Sequence, residues 1–195
     1  MNIVAIHGSP RQGNSSAIAD RLLLSAEKTG AKTESYYLNS LTYRGCQACN
    51  ACKTKSERCV VTDDLTPVLD AILAADVVVL ASPVYFGDVT GQFKSFFDRT
   101  FSFFTPDYRT AANPSRLAAG KKLVFIQTQG QPDPAFFDDI YPRYERIVKR
   151  FGFTETRLIK GVGLAGPYSP EAVITYLDQA ETVAAELAAK GDVDW

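Results

Sequence analysis

The sequence predicts an α/β protein with one doubly wound parallel sheet of five strands and helices on both faces. Three observations carry that reading. Short aliphatic runs alternate along the chain with longer stretches of helical periodicity. The runs Asn2–Ile6, Val77–Ala81 and Lys122–Gln127 are apolar through their centres, as strands covered on both faces require. The turns that follow the first and third strands are rich in Gly, Ser and Pro.

The elements follow in order. Asn2–Ile6 is the first strand and His7–Gly13 the turn after it. Ala17, Ile18, Leu22, Leu23 and Leu24 recur at helical spacing up to Gly30, a stop signal. Thr33–Leu38 reads as the second strand, and Asn39–Asp63 as a loop whose cysteine-rich part spans about 43–62. Leu65, Val68, Leu69 and Ile72 mark a helix over Leu65–Ala75, with Asp63-Asp64 as its cap. Val77–Ala81 is the third strand, followed by a helix at about Thr90–Thr100 and an aromatic and polar stretch to Ala119. Lys122–Gln127 is the fourth strand. Helices at Ala135–Phe151 and Glu171–Lys190 flank a fifth strand at Thr154–Val162. With 195 residues and no linker or repeat, one domain over 1–195 is expected. The strand order expected of such a sheet is 2-1-3-4-5.

Composition removes several functions. A formal charge of −1 lacks the basic excess of a nucleic-acid binder. No apolar run approaches the length of a membrane-spanning helix, since the best, Ala71–Ala81, is short and contains Asp76. Met1–Ile6 is too brief for a secretory leader, so a cytoplasmic location without membrane or nucleic-acid partners is expected. His7 is the sole histidine and reads as a hydrogen-bonded strand residue; with no second histidine, a catalytic relay has no machinery. No catalytic side chain is assigned. Phe93, Phe96, Phe97, Phe101, Phe103 and Phe104 exceed what one helix face needs, and the surplus suggests a subunit interface or a pocket wall.

Three loops at carboxyl ends of strands carry the chemistry, because ligands of open parallel sheets bind there. The first, Gly8–Ser16, gathers Ser9, Arg11, Asn14, Ser15 and Ser16 at a strand-to-helix turn. Hydroxyls, amides and free N–H groups at a helix start suit a phosphate, and Arg11 adds a charge-assisted contact. Its G-x4-G-N-S spacing places Asn14 where a Walker loop has lysine, and the G-x-G-x-x-G fingerprint is absent. A flavin mononucleotide (FMN) phosphate fits this cradle, whereas a plain turn would use Asn14 or Ser15 only as N-cap. The second loop, Ser82–Gly87, offers aromatic faces and backbone amides from Pro83, Val84, Tyr85, Phe86 and Gly87 to a flat ring. The third is Thr128–Pro134.

At these residues the chain resembles a known family. G-S-P-R-x-G-N-S-S, A-S-P-V-Y-F-G and G-Q-F-K-S-F-F-D-R are similar to motifs of the NAD(P)H-dependent FMN reductases of flavodoxin-like fold. The compact C-x2-C-x2-C-x6-C insert narrows the resemblance to the iron–sulfur flavoproteins, over about residues 1–130. The resemblance implies FMN held by the first two loops, with Thr128, Gln129 and Gly130 near the ring. It also implies a subunit interface at the helix after the ring loop.

The cysteines Cys46, Cys49, Cys52 and Cys59 all fall within fourteen residues, unlike a disulfide framework. Their spacing leaves three readings: a four-iron cluster, zinc, or free thiols. Arg44, Lys53, Lys55 and Arg58 outnumber Glu57 around them, which favours an anionic [4Fe–4S] centre. The expected function is an FMN-dependent oxidoreductase whose [4Fe–4S] cluster exchanges electrons with FMN. NAD(P)H or a ferredoxin-type protein would be the donor, and a homodimer or homotetramer the working unit. The alternatives are a cluster-free NAD(P)H-dependent FMN or quinone reductase and a flavodoxin-like binding module without turnover.

Overall fold

The computed structural model describes residues 1–189. Its strands are β1 (Asn2–His7), β2 (Lys32–Tyr37), β3 (Val77–Tyr85), β4 (Asp88–Val89), β5 (Lys122–Thr128) and β6 (Glu155–Gly161). Its α-helices are α1 (Asn14–Glu27), α2 (Ala51–Thr54), α3 (Leu65–Ala74), α4 (Gly91–Arg99), α5 (Ile140–Arg150) and α6 (Pro170–Ala189). The parallel strands lie in the order β2-β1-β3-β5-β6. This is the expected 2-1-3-4-5 order with the numbers shifted by β4, a two-residue strand antiparallel to the end of β3. The expected helix ending at Lys190 is described to Ala189; Lys190 lies outside the described residues.

Alternation along the buried strands feeds two apolar layers. Ile3, Ala5, Val77, Val79, Val124 and Ile126 pack against α1 and α6. Val4, Ile6, Val78, Leu80, Leu123 and Phe125 pack on the opposite face with α3, α4 and α5. Successive strand side chains point to opposite faces, so a run such as Val77–Leu80 supplies both layers from consecutive residues.

Three expectations need correction. The segment read as one helix over Ala135–Phe151 is a 3-10 turn at Pro134–Phe137 followed by α5, with Asp133 Oδ1 accepting from Ala135 N at 2.9 Å. The strand ending at Ala81 runs on to Tyr85, because β4 pairs with its end at Val84 and Tyr85. The aromatic run leaves little surplus: Phe93, Phe96, Phe97, Phe103 and Phe104 are buried in the α4/α5 layer, and only Phe101 of the six is part-exposed. Phe93 stacks edge-on against Phe96, Phe125 and Tyr144, a network across β5, α4 and α5 that uses what one helix face alone would not.

One residue ties the layers to the loops. Thr90, fully buried, caps α4: its Oγ1 accepts from Phe93 N at 3.2 Å and donates to Gly8 O at 2.5 Å. Its own N–H donates to Ser82 Oγ at 3.1 Å. Gly8 N donates to Ala81 O at 2.8 Å, and a Cβ at Gly8 would stand 2.7 Å from Phe93 Cβ, so the first loop can meet α4 only at a glycine. Thr90→Val keeps the shape but strands the Gly8 carbonyl and the Phe93 amide. It should lower stability by about 2 kcal/mol, read as a shift in urea midpoint at unchanged slope. Retention of the wild-type midpoint would show that the junction contributes nothing.

Candidate functional site

The first loop and the start of α1 form an incompletely satisfied polar cradle. Gly13, not Asn14 or Ser15, is the N-cap of α1, and no side chain caps it among the described residues. Without that cap, the helix's first N–H groups point outward as donors, at the positive end of its dipole. Ser15 and Ser16 are buried, and Ser16 Oγ and Asn14 Oδ1 have no hydrogen-bond partner among the described residues. Ser9 holds the loop itself: its Oγ donates to Arg11 O at 2.5 Å and accepts from Arg11 N at 3.2 Å. Arg11 is exposed.

A wall of the cradle that sequence reasoning missed is the segment after β6. Arg11 Nη2 donates to Gly166 O at 3.1 Å, and Asn14 Nδ2 donates to Leu164 O at 3.4 Å. Leu164 N donates to Gln129 O at 2.9 Å, which joins this segment to the loop after β5. Carbonyl acceptors leave no side-chain signature, so nothing in the sequence marks these contacts.

The second loop is a displayed hairpin tip. Tyr85 pairs with Asp88 across a two-residue turn, Phe86-Gly87, in which both residues have positive φ (48° and 91°). Such a turn matches the twist of the paired strands but is unusual for phenylalanine. Phe86 is fully exposed and Tyr85 is 41% exposed, whereas Pro83 and Val84 are half-buried. Two further aromatics, Phe136 and Tyr168, are exposed on the loops after β5 and β6. The exposed aromatic surface therefore gathers at the carboxyl ends of the strands. Of the third loop's residues, Thr128 and Gln129 are buried and Gly130 is exposed. The Gln129 amide is spent on the turn, donating to Asp133 O at 2.9 Å and Gln131 O at 3.2 Å.

His7 ends β1 just before the cradle. Its ring is fully buried, has no hydrogen bond among the described residues, and stacks on Tyr37 with centroids 4.1 Å apart. The expected hydrogen-bonded strand residue is thus held by stacking, because the nearest carboxylate, Asp20, lies 3.6 Å away and accepts from Tyr37 instead. Burial lowers the imidazole pKa, with Asp20 opposing, which favours the neutral ring.

The cysteine segment does not stay at the strand ends but runs beside α4. Tyr43 donates to Gln92 O at 2.8 Å, Gly45 lies against Ser95, and Arg99 Nε donates to Cys59 Sγ at 3.0 Å. Asp64 is the N-cap of α3 and makes no side-chain cap bond, whereas Asp63 ties the segment to α3 and α4: Oδ1 accepts from Leu65 N at 3.1 Å, while Oδ2 accepts from Arg99 Nη1 at 2.8 Å and Arg44 N at 3.1 Å. Burial pushes the Asp63 carboxyl pKa up, but the hydrogen bonds from Arg99, Arg44 and Leu65 outweigh it and lower the pKa. Arg99 was legible in principle: it stands three residues after Phe96, a charge on the apolar stripe of α4.

The four cysteines are free thiols; Cys46 and Cys49 are exposed, Cys52 and Cys59 half-buried. Four thiols are the right donors for a four-iron centre. Their placement is not: among the described residues no three His, Cys, Asp or Glu side chains converge as a metal site. The candidate ligands thus share one segment but not one point.

The NADPH-dependent FMN reductase family profile matches residues 1–135. An iron-sulfur flavoprotein of Archaeoglobus fulgidus is 38% identical over 165 residues, covering 84% of this chain and 70% of that protein. An iron-sulfur flavoprotein of Methanosarcina thermophila is 36% identical over 101 residues, about half of each chain (51% and 52%). The solved FMN-dependent NADH-azoreductase of Bacillus anthracis, in complex with FMN, shares the fold with a TM-score of 0.71 over 96% of this chain and 99% of its own, at 15% identity. Among the described residues, no helix is long and apolar enough to cross a membrane. By the extent of the profile match and the identity to the first relative, this chain belongs to the NADPH-dependent FMN reductase family of flavin oxidoreductases.

Proposed function

We propose that the chain binds FMN at the cradle and the hairpin tip and works as a flavin-dependent oxidoreductase. The observation that carries this is the start of α1, which no side chain caps, beside the Ser16 hydroxyl, which has no partner, both among the described residues. Ser9, Arg11, Asn14, Ser15 and Ser16 would hold the phosphate end. The Ser16 hydroxyl can donate to a phosphate oxygen, whereas Asn14 Oδ1 can only accept and so suits a ligand hydroxyl. Pro83, Val84, Tyr85, Phe86 and Gly87, with Gly130 and the backbone of Thr128 and Gln129, would face the ring. The exposed Tyr85, Phe86, Phe136 and Tyr168 supply apolar area that a flat ring would cover. Bound FMN supplies acceptance of a hydride or of single electrons; the chain supplies orientation, charge and exclusion of water.

A finer part of the proposal concerns the cysteines. Cys46, Cys49, Cys52 and Cys59 would ligate one [4Fe–4S] centre. Support comes from the spacing, from the two iron-sulfur flavoproteins among the relatives, and from the cations Arg99 and Arg116 that contact the segment. NAD(P)H and a ferredoxin-type protein are the two donors to distinguish, by anaerobic reduction of the flavin.

Ser16→Ala separates the phosphate reading from simple helix packing. Removing a buried hydroxyl without a partner should raise the stability of the FMN-free chain by about 1 kcal/mol. The same change should weaken FMN binding by about 1–3 kcal/mol, and Arg11→Ala should do likewise. Riboflavin, which has no phosphate, should bind each variant as it binds wild type; equal losses for both ligands would remove the phosphate from the cradle.

Anaerobic reconstitution with iron and sulfide tests the cysteines. Wild type should take up acid-labile sulfide and Cys59→Ala should not hold the same centre. A wild-type chain that takes up none returns the function to a cluster-free reductase. The exposed aromatic tip also supports a homodimer or homotetramer, and sedimentation of the flavin-loaded protein at micromolar concentration should give one of those masses. A fully loaded monomer would exclude both.

A further inference from the structure

A cavity of about 410 Å³ lies between α4 and α5, and none of the residues assigned to FMN lines it. That volume falls within the roughly 300–1,000 Å³ of small-molecule sites. Its walls are mainly apolar, with Phe97, Phe101 and Phe104 on the α4 side and Ile147 and Phe151 on the α5 side. Phe97, Phe104 and Phe151 are buried, and Phe101 and Ile147 half-buried. The walls brace one another: the Phe104 and Phe151 rings pack with centroids 4.5 Å apart, and Phe97 meets Tyr144 edge-on at 4.9 Å. Both helices run back from carboxyl ends of strands, so the cavity has a hairpin end at Asp88 and a far end at Arg150. Arg143 and Arg150 stand seven residues apart on α5, a separation of about 10 Å.

The charges that line this cavity are matched except one. Lys94 Nζ pairs with Asp98 at 2.5 Å, and Arg143 Nη1 pairs with Asp88 at 3.3 Å. Arg150 has no carboxylate partner among the described residues. Its Nη2 donates to Tyr108 O at 2.7 Å, and its guanidinium carbon lies over the rings of Phe104 and Tyr108, 4.9 and 5.8 Å from their centroids. Nε and Nη1 have no hydrogen-bond acceptor among the described residues. Part of this charge answers the C-terminal dipole of α5, but that role asks only for a cation and uses no particular N–H. One edge of a planar fork, steadied by a carbonyl and two aromatic rings, is therefore left for an acceptor.

We propose that the cavity binds a planar aromatic carboxylate, with its rings among the phenylalanines and its carboxylate on the Nε/Nη1 edge of Arg150. One unmatched positive charge beside apolar walls suits a monoanion, whereas a phosphate dianion would bring a second charge that nothing there compensates. Aromatic walls select a flat ring, which can meet them in offset or edge-on contact. The opposite end reaches Asp88, which pairs with Tyr85 in the hairpin, so the ligand lies behind the loop assigned to the flavin ring. The inference stands whether or not FMN is bound.

The probe is 2-naphthoate, titrated calorimetrically into the chain with and without FMN, and its neutral counterpart is 2-naphthalenemethanol. One equivalent of naphthoate should bind in both states, more tightly than the alcohol. Arg150→Gln, a change at an exposed position, should weaken naphthoate at least about five-fold and leave the alcohol within about two-fold. Nuclear Overhauser contacts from the naphthoate ring to the Phe101 and Ile147 side chains of wild type should place it between the helices. No saturable binding at millimolar naphthoate would overturn the site, as would ring contacts confined to other residues. Equal losses of both probes in Arg150→Gln would overturn the role of the carboxylate. Displacement of naphthoate by one equivalent of FMN would put the probe in the cradle and overturn the assignment. An affinity that falls as protein concentration rises would show a second copy covering the cavity, and would overturn it as well.

Discussion

Thr90 is the point at which the molecule's local decisions become mutually dependent. Its hydroxyl and amide join the first loop, the end of β3 and the first turn of α4 inside a buried junction where no water can replace a lost partner. The close approach of Gly8 to Phe93 makes the same junction steric as well as polar. Cradle and hairpin tip are held in register by these contacts, because each loop leaves a strand end that the junction fixes.

The helix that starts at Thr90 ends at Arg99, and a helix of this length spans about 14 Å. One rigid rod thus has the cradle and hairpin loops at its start, the cysteine segment along its side and the Arg99 fork at its end. The two ends differ in electrostatic logic. At the cradle, donors are left open, so a ligand anion would complete them. At Arg99 the charge is already balanced: burial works against the guanidinium, but the hydrogen bond and charge of Asp63, together with the Cys59 sulfur, outweigh it and raise its pKa. Removing one member of such a buried pair typically costs about 3–5 kcal/mol, because the other charge is then stranded. The pair is therefore part of the fold.

Apolar surface is distributed by the same economy. The phenylalanines of residues 93–104, dense enough to suggest an interface, go into the layer shared with Phe125, Tyr144 and Phe151. Among the described residues, the aromatics that stay exposed are the small set on the loops, where Phe86 is held outward by a turn that its side chain does not favour. Strained, displayed aromatics at strand ends make sense where something flat is bound, and cost stability where nothing is.

The sequence by itself determined the alternation of strands and helices and the identity of the three chemical loops, because those follow from local periodicity and from turn residues clustered within a few positions; the strand order came only with the fold class that the chain resembles. Asn14, Ser15 and Ser16 were legible as a cradle for that reason, and the four cysteines as a group. Only the tertiary structure decided which polar atoms remain without partners among the described residues, as for Ser16, and which are consumed, as for the Gln129 amide. It also decided that Leu164 and Gly166 close over the cradle, that the cysteine segment lies along α4, and that Arg99 reaches Cys59 from 40 residues away. Those outcomes depend on backbone carbonyls and on contacts between segments far apart in the chain. A carbonyl is present at every residue and carries no residue-specific mark, so its partner is set only when packing brings the two segments together.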